Sequence, residues 1–316
     1  MHICQNINRD IPDHSGQKMS MKAKSQFELF LDDEVGKMKG ISYPVRAGLL
    51  RRLLIKNMDC RKMHPNPNDE FCFPDIGPNY EIISGYVNDY KRYHTDLQFA
   101  PSSVSEPIEI ERIKPHGYMI LNGHHRWAAA MRAGEKRISV RVVDLTQKKD
   151  VEKMLRNSRS DRRVTLDLDE VVFRPADEGC LEKPLPFPLS RIYRERLRLG
   201  IPALFHFLKR NGYDIWIYSA RNYSLDYVRY YFLHYFIYIT CIVTGTGRKA
   251  PEKTETWKEL EKLLSTKYKS TIHIDNKSVI YTVPETRQFD EFPLSGNPET
   301  WSREVIAAVE KIREGG

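Results

Sequence analysis

Three short stretches in the second half of the chain each end an apolar run in a group able to do phosphate chemistry. In VTLDLDEVVF, residues 164–173, strand-like residues run into Asp167 and Asp169. IWIYSAR closes a second apolar run with Ser219, and TIHIDNKS closes a third with Asp275. Between the last two, RKAPEKTETW places Lys249 and Lys253 at the start of a helix-like segment. Residues i and i+2 of an extended segment share a face. Two like charges that close are costly unless a cation or a shared proton relieves them. An aspartate after a strand is also a common helix N-cap, so VTLDLD alone leaves both readings open. Taken together, the carboxylates make an oxygen-rich site suited to Mg2+, which keeps some of its waters and binds substrate phosphates. The hydroxyl and the lysines suit a phosphoryl group.

A fourth stretch lies in the first half. YMILNGHHRWAAAMRAG, residues 118–134, reads as a strand, a glycine turn and a helix. Such a turn exposes backbone N–H groups at a helix N-terminus, a ready anion site. Asn122, Gly123, His124, His125 and Arg126 are its candidate phosphate-binding residues. The same pattern also describes an ordinary strand–turn–helix.

These residues need elements to hold them. Residues 1–24 are polar and irregular, and are expected to be flexible. FELFLDDEV and VRAGLLRRLLI carry helical spacing. HPNPNDEFCFPDIGPN, residues 64–79, is a proline-rich loop, and YEIISGYVNDYKRY follows as a helix. EPIEIERI and RISVRVVD read as strands on either side of the NGHHR stretch. The charged segment around 146–162 is mostly helix-compatible and reads as the linker. After it, strands and helices alternate: VTLDLD, IPALFHFLKRNG, DIWIYSA, LDYVRYYFLHYF, ITCIV, KTETWKELEKLL and TIHID. That order predicts a parallel α/β sheet with its functional edge beyond the carboxyl ends of the strands. The expected domains are 25–145 and 163–316, the first α+β and the second α/β.

The 316 residues are enough for two domains. The chain is 41% hydrophobic and 29% charged, the make-up of a globular protein with core-forming material to spare. No run approaches the ~18–20 apolar residues of a membrane span, and the first residues lack the apolar core of a signal peptide. Five scattered cysteines without a CxxC pair argue against cysteine-held zinc and for a reduced, cytoplasmic protein. The net charge of +8 is spread, with 23 basic and 19 acidic residues in 1–150 and 27 against 23 in the rest. A spread excess argues weakly for an acidic partner and equally describes plain solubility.

The order DLDEVVF, YSAR, a helix-leading lysine and HIDN resembles the four motifs of the haloacid dehalogenase (HAD) superfamily, over roughly residues 163–316. The resemblance implies Asp167 as a nucleophile forming an aspartyl-phosphate and Asp169 as the general acid/base. It implies Ser219 holding phosphoryl oxygens, and Lys253 or Lys249 neutralising the intermediate's charge, with Lys253 preferred. Mg2+ would be held by Asp167, the Asp169 carbonyl and Asp275. The chain departs from the family pattern at Glu170, Val171 and Asn276. The gaps between these motifs hold no large cap, which leaves an open site that a bulky substrate could reach or the first domain could cover. RIYRERLRLG supplies Arg191, Arg194, Arg196 and Arg198 near the expected entrance, either as phosphate clamps or as a solvated face.

The NGHHR stretch resembles the GxxR box of the ParB/sulfiredoxin superfamily, over roughly residues 60–145. By that resemblance Gly123, His124, His125 and Arg126 contact nucleotide phosphates. The slot of sulfiredoxin's catalytic cysteine is His124, and the acid of the kinase members is replaced by Asn122, with Asp69 and Glu70 as nearby alternative acids. No helix-turn-helix pair follows the box. The leading expectation is a Mg2+-dependent phosphohydrolase acting on a phosphorylated small molecule, nucleotide or phosphate-ended nucleic acid, with no membrane role. The alternatives are a kinase–phosphatase pair in one chain and a non-catalytic nucleotide- or nucleic-acid-binding module.

Overall fold

The computed structural model describes residues 25–38, 43–96, 98–246 and 262–315. Its first half is a mixed sheet with helices. In chain order come α1 (Gln26–Met38), β1 (Tyr43–Pro44), α2 (Leu49–Leu54), β2 (Asn57–Asp59), β3 (Met63–His64), α3 (Tyr80–Thr95), α4 (Ser102–Ser105), β4 (Ile108–Lys114), β5 (Tyr118–Asn122), α5 (His124–Ala133) and β6 (Arg137–Val143). The strand order is β2-β6-β4-β5-β3, with β1 pairing β4. β4 runs parallel to β6 and antiparallel to β5. Helix α5 is bounded by two left-handed glycines, Gly123 (φ 99°) and Gly134 (φ 84°), and its alanines let it pack flat on the core beside Trp127.

The second half continues with α6 (Lys148–Asn157), β7 (Arg162–Asp167), a π-type helical turn (Leu168–Val172), β8 (Phe173–Arg174), α7 (Leu189–Ile192), β9 (Arg196–Leu197), α8 (Ile201–Arg210), β10 (Asp214–Ser219), α9 (Leu225–Leu233), β11 (Cys241–Thr244), β12 (Ser270–Ile274), β13 (Ser278–Val283), β14 (Gln288–Pro293) and α10 (Trp301–Gly315). The sheet order is β11-β10-β7-β12-β13-β14. The first four strands are parallel, as the alternation predicts. β13 and β14 are added antiparallel, so the sheet is mixed rather than all parallel. They form because Asp275, Asn276 and Lys277 turn the chain straight back: the Asp275 N–H donates to the Ser278 carbonyl at 3.0 Å. Strands β10 and β7 are interior, and β10 is buried along most of its length, as a strand covered on both faces must be. Helix α8 starts at left-handed Gly200 with proline in its first turn, and buries Leu204, Phe205 and Leu208.

The segment expected to be a linker is largely α6, an amphipathic helix whose Val151, Met154 and Leu155 belong to the second core. The two halves are therefore joined through packed structure. Asp144, buried just after β6, fastens them. Its carboxylate accepts from the Ala47 N–H at 2.8 Å, its own N–H donates to Ser224 Oγ at 3.0 Å, and its carbonyl accepts from the Leu225 N–H at 3.0 Å. Arg52 of α2 pairs with Asp226 of α9, and Asn222 Nδ2 donates to Glu109 Oε2 of β4 at 3.0 Å. Among the described residues no helix is long and apolar enough to cross a membrane.

Candidate functional site

At the carboxyl edge of the second sheet, register brings together three of the predicted groups. β7 and β10 pair Asp167 with Tyr218, so Ser219 stands one residue further on its strand. β7 and β12 pair Leu166 with Ile274, so Asp275 follows at the level of Asp167 on the neighbouring strand. Strand β7 ends at Asp167. Asp169 is not extended, so the i, i+2 face expected of VTLDLD does not form. The chain enters the π-type turn instead, and Asp167 caps it, Oδ1 accepting from the Asp169 and Glu170 N–H groups at 2.7 and 2.8 Å. The N-cap reading and the reactive reading of Asp167 are thus compatible. One oxygen caps the turn, and Oδ2 takes part in no hydrogen bond among the described residues.

Turning the chain at Leu168 carries Asp169 under the end of β10. Its Oδ2 accepts from Ser219 Oγ at 2.9 Å, from the Ala220 N–H at 2.9 Å and from the Arg221 N–H at 3.3 Å. Its Oδ1 is buried and has no hydrogen-bond partner among the described residues, with Arg221 Nε at 3.7 Å. Ser219 is completely buried and is held to Asp169, where the resemblance implies a bond to phosphoryl oxygens. Asp275 is exposed at the turn into β13. Lys249 and Lys253 lie outside the described residues.

The four arginines of RIYRERLRLG part company. Arg191 stacks over Phe187, and Arg194 lines a cavity between the domains. Arg196 donates to the Glu182 carbonyl at 2.8 Å. Arg198 is buried under the turn that carries Asp275. Its Nη2 donates to Asn276 Oδ1 at 2.7 Å and its guanidinium lies 4.3 Å from the centre of the Trp301 ring. Its Nη1 has no hydrogen-bond partner among the described residues. Burial, and then the neighbouring Arg174, push its pKa down to about 10.

In the first half, Asn122 ends β5 and Gly123 turns the chain into α5. A side chain at Gly123 would meet Arg126 Nη2 and Ile108 Cγ1 at 3.1 Å, so both the left-handed φ and the crowding require glycine. The two histidines do not offer Nε2 to a ligand. His124 Nε2 accepts from the Asn66 N–H at 3.1 Å and His125 Nε2 from the Asn79 N–H at 3.0 Å. They anchor the proline loop to the turn, with the Phe71 ring packed against both. His124 Nδ1 faces Asp69 at 3.5 Å, and burial lowers the pKa of His125. Arg126 Nη1 donates to the Glu106 carbonyl at 2.8 Å. Asp69, Tyr86 and Glu106 join the box residues around a cavity of about 340 Å³.

Sequence reasoning missed the residues that line the seam between the halves: Arg52, Asn222, Tyr223, Tyr227 and Tyr230. A signal for the tyrosines was present. Tyr223, Tyr227 and Tyr230 are spaced four and three apart, the spacing of one helical face.

The ParB N-terminal domain model matches residues 100–159, which run from α4 through the GHHR turn and β6 to the end of α6. No curated protein matches the chain. A solved structure, the crystal structure of the C-terminal domain of the coenzyme A biosynthesis bifunctional protein CoaBC, aligns with 50% of this chain and 98% of that chain at 14% identity. Its TM-score of 0.18 is too low to bear on fold or function. The matched segment contains the whole strand–glycine–helix turn, and the chain carries a ParB-like domain.

Proposed function

We propose that the protein is a Mg2+-dependent phosphohydrolase of HAD type, in which the ParB-like domain binds a nucleotide or the phosphorylated substrate. The observation that carries the reading is the convergence of Asp167, Asp169, Ser219 and Asp275 from three parallel strands on one sheet edge. The strand order β11-β10-β7-β12, with the two aspartates on its central strand and the turn after it, supports it as well.

The donor set fits Mg2+. The Asp167 carboxylate, the Asp169 carbonyl and the Asp275 carboxylate are hard oxygen ligands, and water with substrate oxygens would complete the shell. Among the described residues no three His, Cys, Asp or Glu side chains gather as a metal cluster, and this set calls for only two carboxylates. When bound, the ion would neutralise phosphate charge near the nucleophile. The chain's own residues supply the steps. Asp167 attacks phosphorus through its uncapped oxygen, and the P–O bond to the leaving group breaks. Asp169 gives that oxygen a proton, then takes one from the water that hydrolyses the aspartyl-phosphate. Ser219 and the Ala220 and Arg221 amides keep Asp169 aimed.

A panel of phosphorylated metabolites and phosphate-ended oligonucleotides, assayed for phosphate release with Mg2+, tests the proposal. Release by wild type and none by Asp167→Asn is expected. Equal release by both purified proteins overturns the assignment.

A further inference from the structure

Three cavities adjoin one another, one within the first half and two between the halves. The one of about 340 Å³ lies on the GHHR turn. A second of about 440 Å³ shares Asp69, Asn122 and His125 with it and reaches Ala220 and Asn222, directly after Ser219. A third of about 560 Å³ shares Asn222 and opens between β6 and α9. Each volume lies in the ~300–1,000 Å³ range of ligand pockets. The segment 220–223, directly after Ser219, thus borders the cavity that meets the GHHR turn and the cavity beyond it.

The third cavity has the chemistry of a particular ligand. One wall is aromatic: the Tyr223 and Tyr227 rings are parallel at 5.9 Å, Tyr193 packs on Tyr227 at 4.9 Å, and Tyr230 is 46% exposed. Its rim carries Arg191 and Arg194, both exposed and in no ion pair among the described residues. Arg52 and Arg141 are spoken for by Asp226 and Glu109. Flat π-surface beside unneutralised guanidinium groups suits a planar base with a phosphate attached. The link to the reacting edge is Arg221, whose Nε lies 3.7 Å from Asp169 Oδ1 and whose guanidinium lies beside the Tyr223 hydroxyl.

We propose that the seam is a nucleotide groove, with a base against the Tyr223–Tyr230 wall, phosphate on Arg191 and Arg194, and the terminal phosphate directed to the Asp167 edge. The inference rests on the phosphohydrolase reading for the fate of that phosphate, but not for the binding. The ligand is a free nucleotide or the phosphorylated end of a single strand, which share this chemistry.

Binding is measured on the full-length Asp167→Asn protein, using fluorescent ten-residue thymidine strands with a 5′-phosphate, a 3′-phosphate or neither, and with thymidine monophosphate as competitor. The same background carries Tyr230→Ala or the pair Arg191→Ala and Arg194→Ala, with folding checked by circular dichroism. Roughly ten-fold weaker binding is expected for Tyr230→Ala, and a shallower salt dependence for the arginine pair. Strand binding that the monophosphate cannot displace identifies a strand end, and displacement at similar concentration identifies a free nucleotide; both support the groove. No binding of either ligand, or binding indifferent to both variants in folded protein, overturns it. Tyr230-dependent binding without phosphate release by wild type sinks the hydrolase reading and leaves the groove. Release from a non-nucleotide ester, with no nucleotide binding, does the reverse.

Discussion

Ser219 Oγ donates to Asp169 Oδ2 at 2.9 Å, joining the end of β10 to the turn after β7 across 50 residues of sequence. The bond is partly buried, and two amides converge on the same oxygen. Ser219→Ala is expected to lose a bond worth about 1.5–3 kcal/mol. Asp169 then keeps its amides but gains freedom, so the phosphatase kcat should fall about ten- to hundred-fold. Denaturant melts and kcat measured on one preparation separate the two effects. Unaltered kcat would mean that Ser219 does not position Asp169.

Asp167→Asn should fold normally while releasing no phosphate. The amide oxygen can still accept the Asp169 and Glu170 N–H groups, but a neutral amide does not attack phosphorus. Removing Mg2+ with EDTA should silence wild type too, and re-adding it should restore turnover. Full activity in metal-free buffer would refute the Mg2+ assignment.

Arg198→Met should weaken Mg2+ affinity rather than global folding. Arg198 grips Asn276, the neighbour of Asp275, and the methionine keeps the packing on Trp301 while losing that grip. Residues that orient metal ligands typically change metal affinity 10–100-fold. A Mg2+ titration of activity should show the half-saturating concentration rising by about that factor. An unchanged titration would confine Arg198 to a packing role.

Arg126→Ala should weaken nucleotide binding about ten- to hundred-fold, the worth of a hydrogen bond to a charged group. Calorimetry with ATP and CTP reads this directly. Wild type that binds neither nucleotide would show that the GHHR turn is not a phosphate site.

The Arg52–Asp226 pair makes the domain seam pH-sensitive. Burial works against the Asp226 carboxylate, but its hydrogen bond to Arg52 and the attraction between the two outweigh that and hold its pKa below the usual value. A carboxyl lowered on folding stabilises the native state above its unfolded pKa of about 3.9. That stabilisation is lost as pH falls through the folded value. Arg52→Met should cost toward the lower end of the ~3–5 kcal/mol of a broken buried pair, because Asp226 stays 29% exposed. Chemical denaturation at pH 7 and pH 3 should show the gap between wild type and variant closing at the acid end.

Local sequence determined most of the elements and the chemistry they could carry. Gly123 and Gly134 bracket α5 because only glycine takes those left-handed angles cheaply, and Gly123 is crowded as well. The apolar runs into Asp167, Ser219 and Asp275 placed those groups at strand ends, and the parallel register brought them together on one sheet edge. The hairpin of β13 and β14 was not legible, because β14 alternates exposed and half-buried residues and is held by its partner strand rather than by a buried face. The helical turn at Leu168 was likewise hidden. VTLDLD has strand character throughout and leaves the local Asp167 cap as one of two readings, and the distant donors at the end of β10 favour leaving the strand there. The inward turn of His124 and His125 depends on amides 58 and 46 residues away, respectively. The groove depends on tyrosines and arginines from segments far apart in sequence. Such contacts depend on how distant surfaces meet, which no local pattern encodes, so only the tertiary structure decided them.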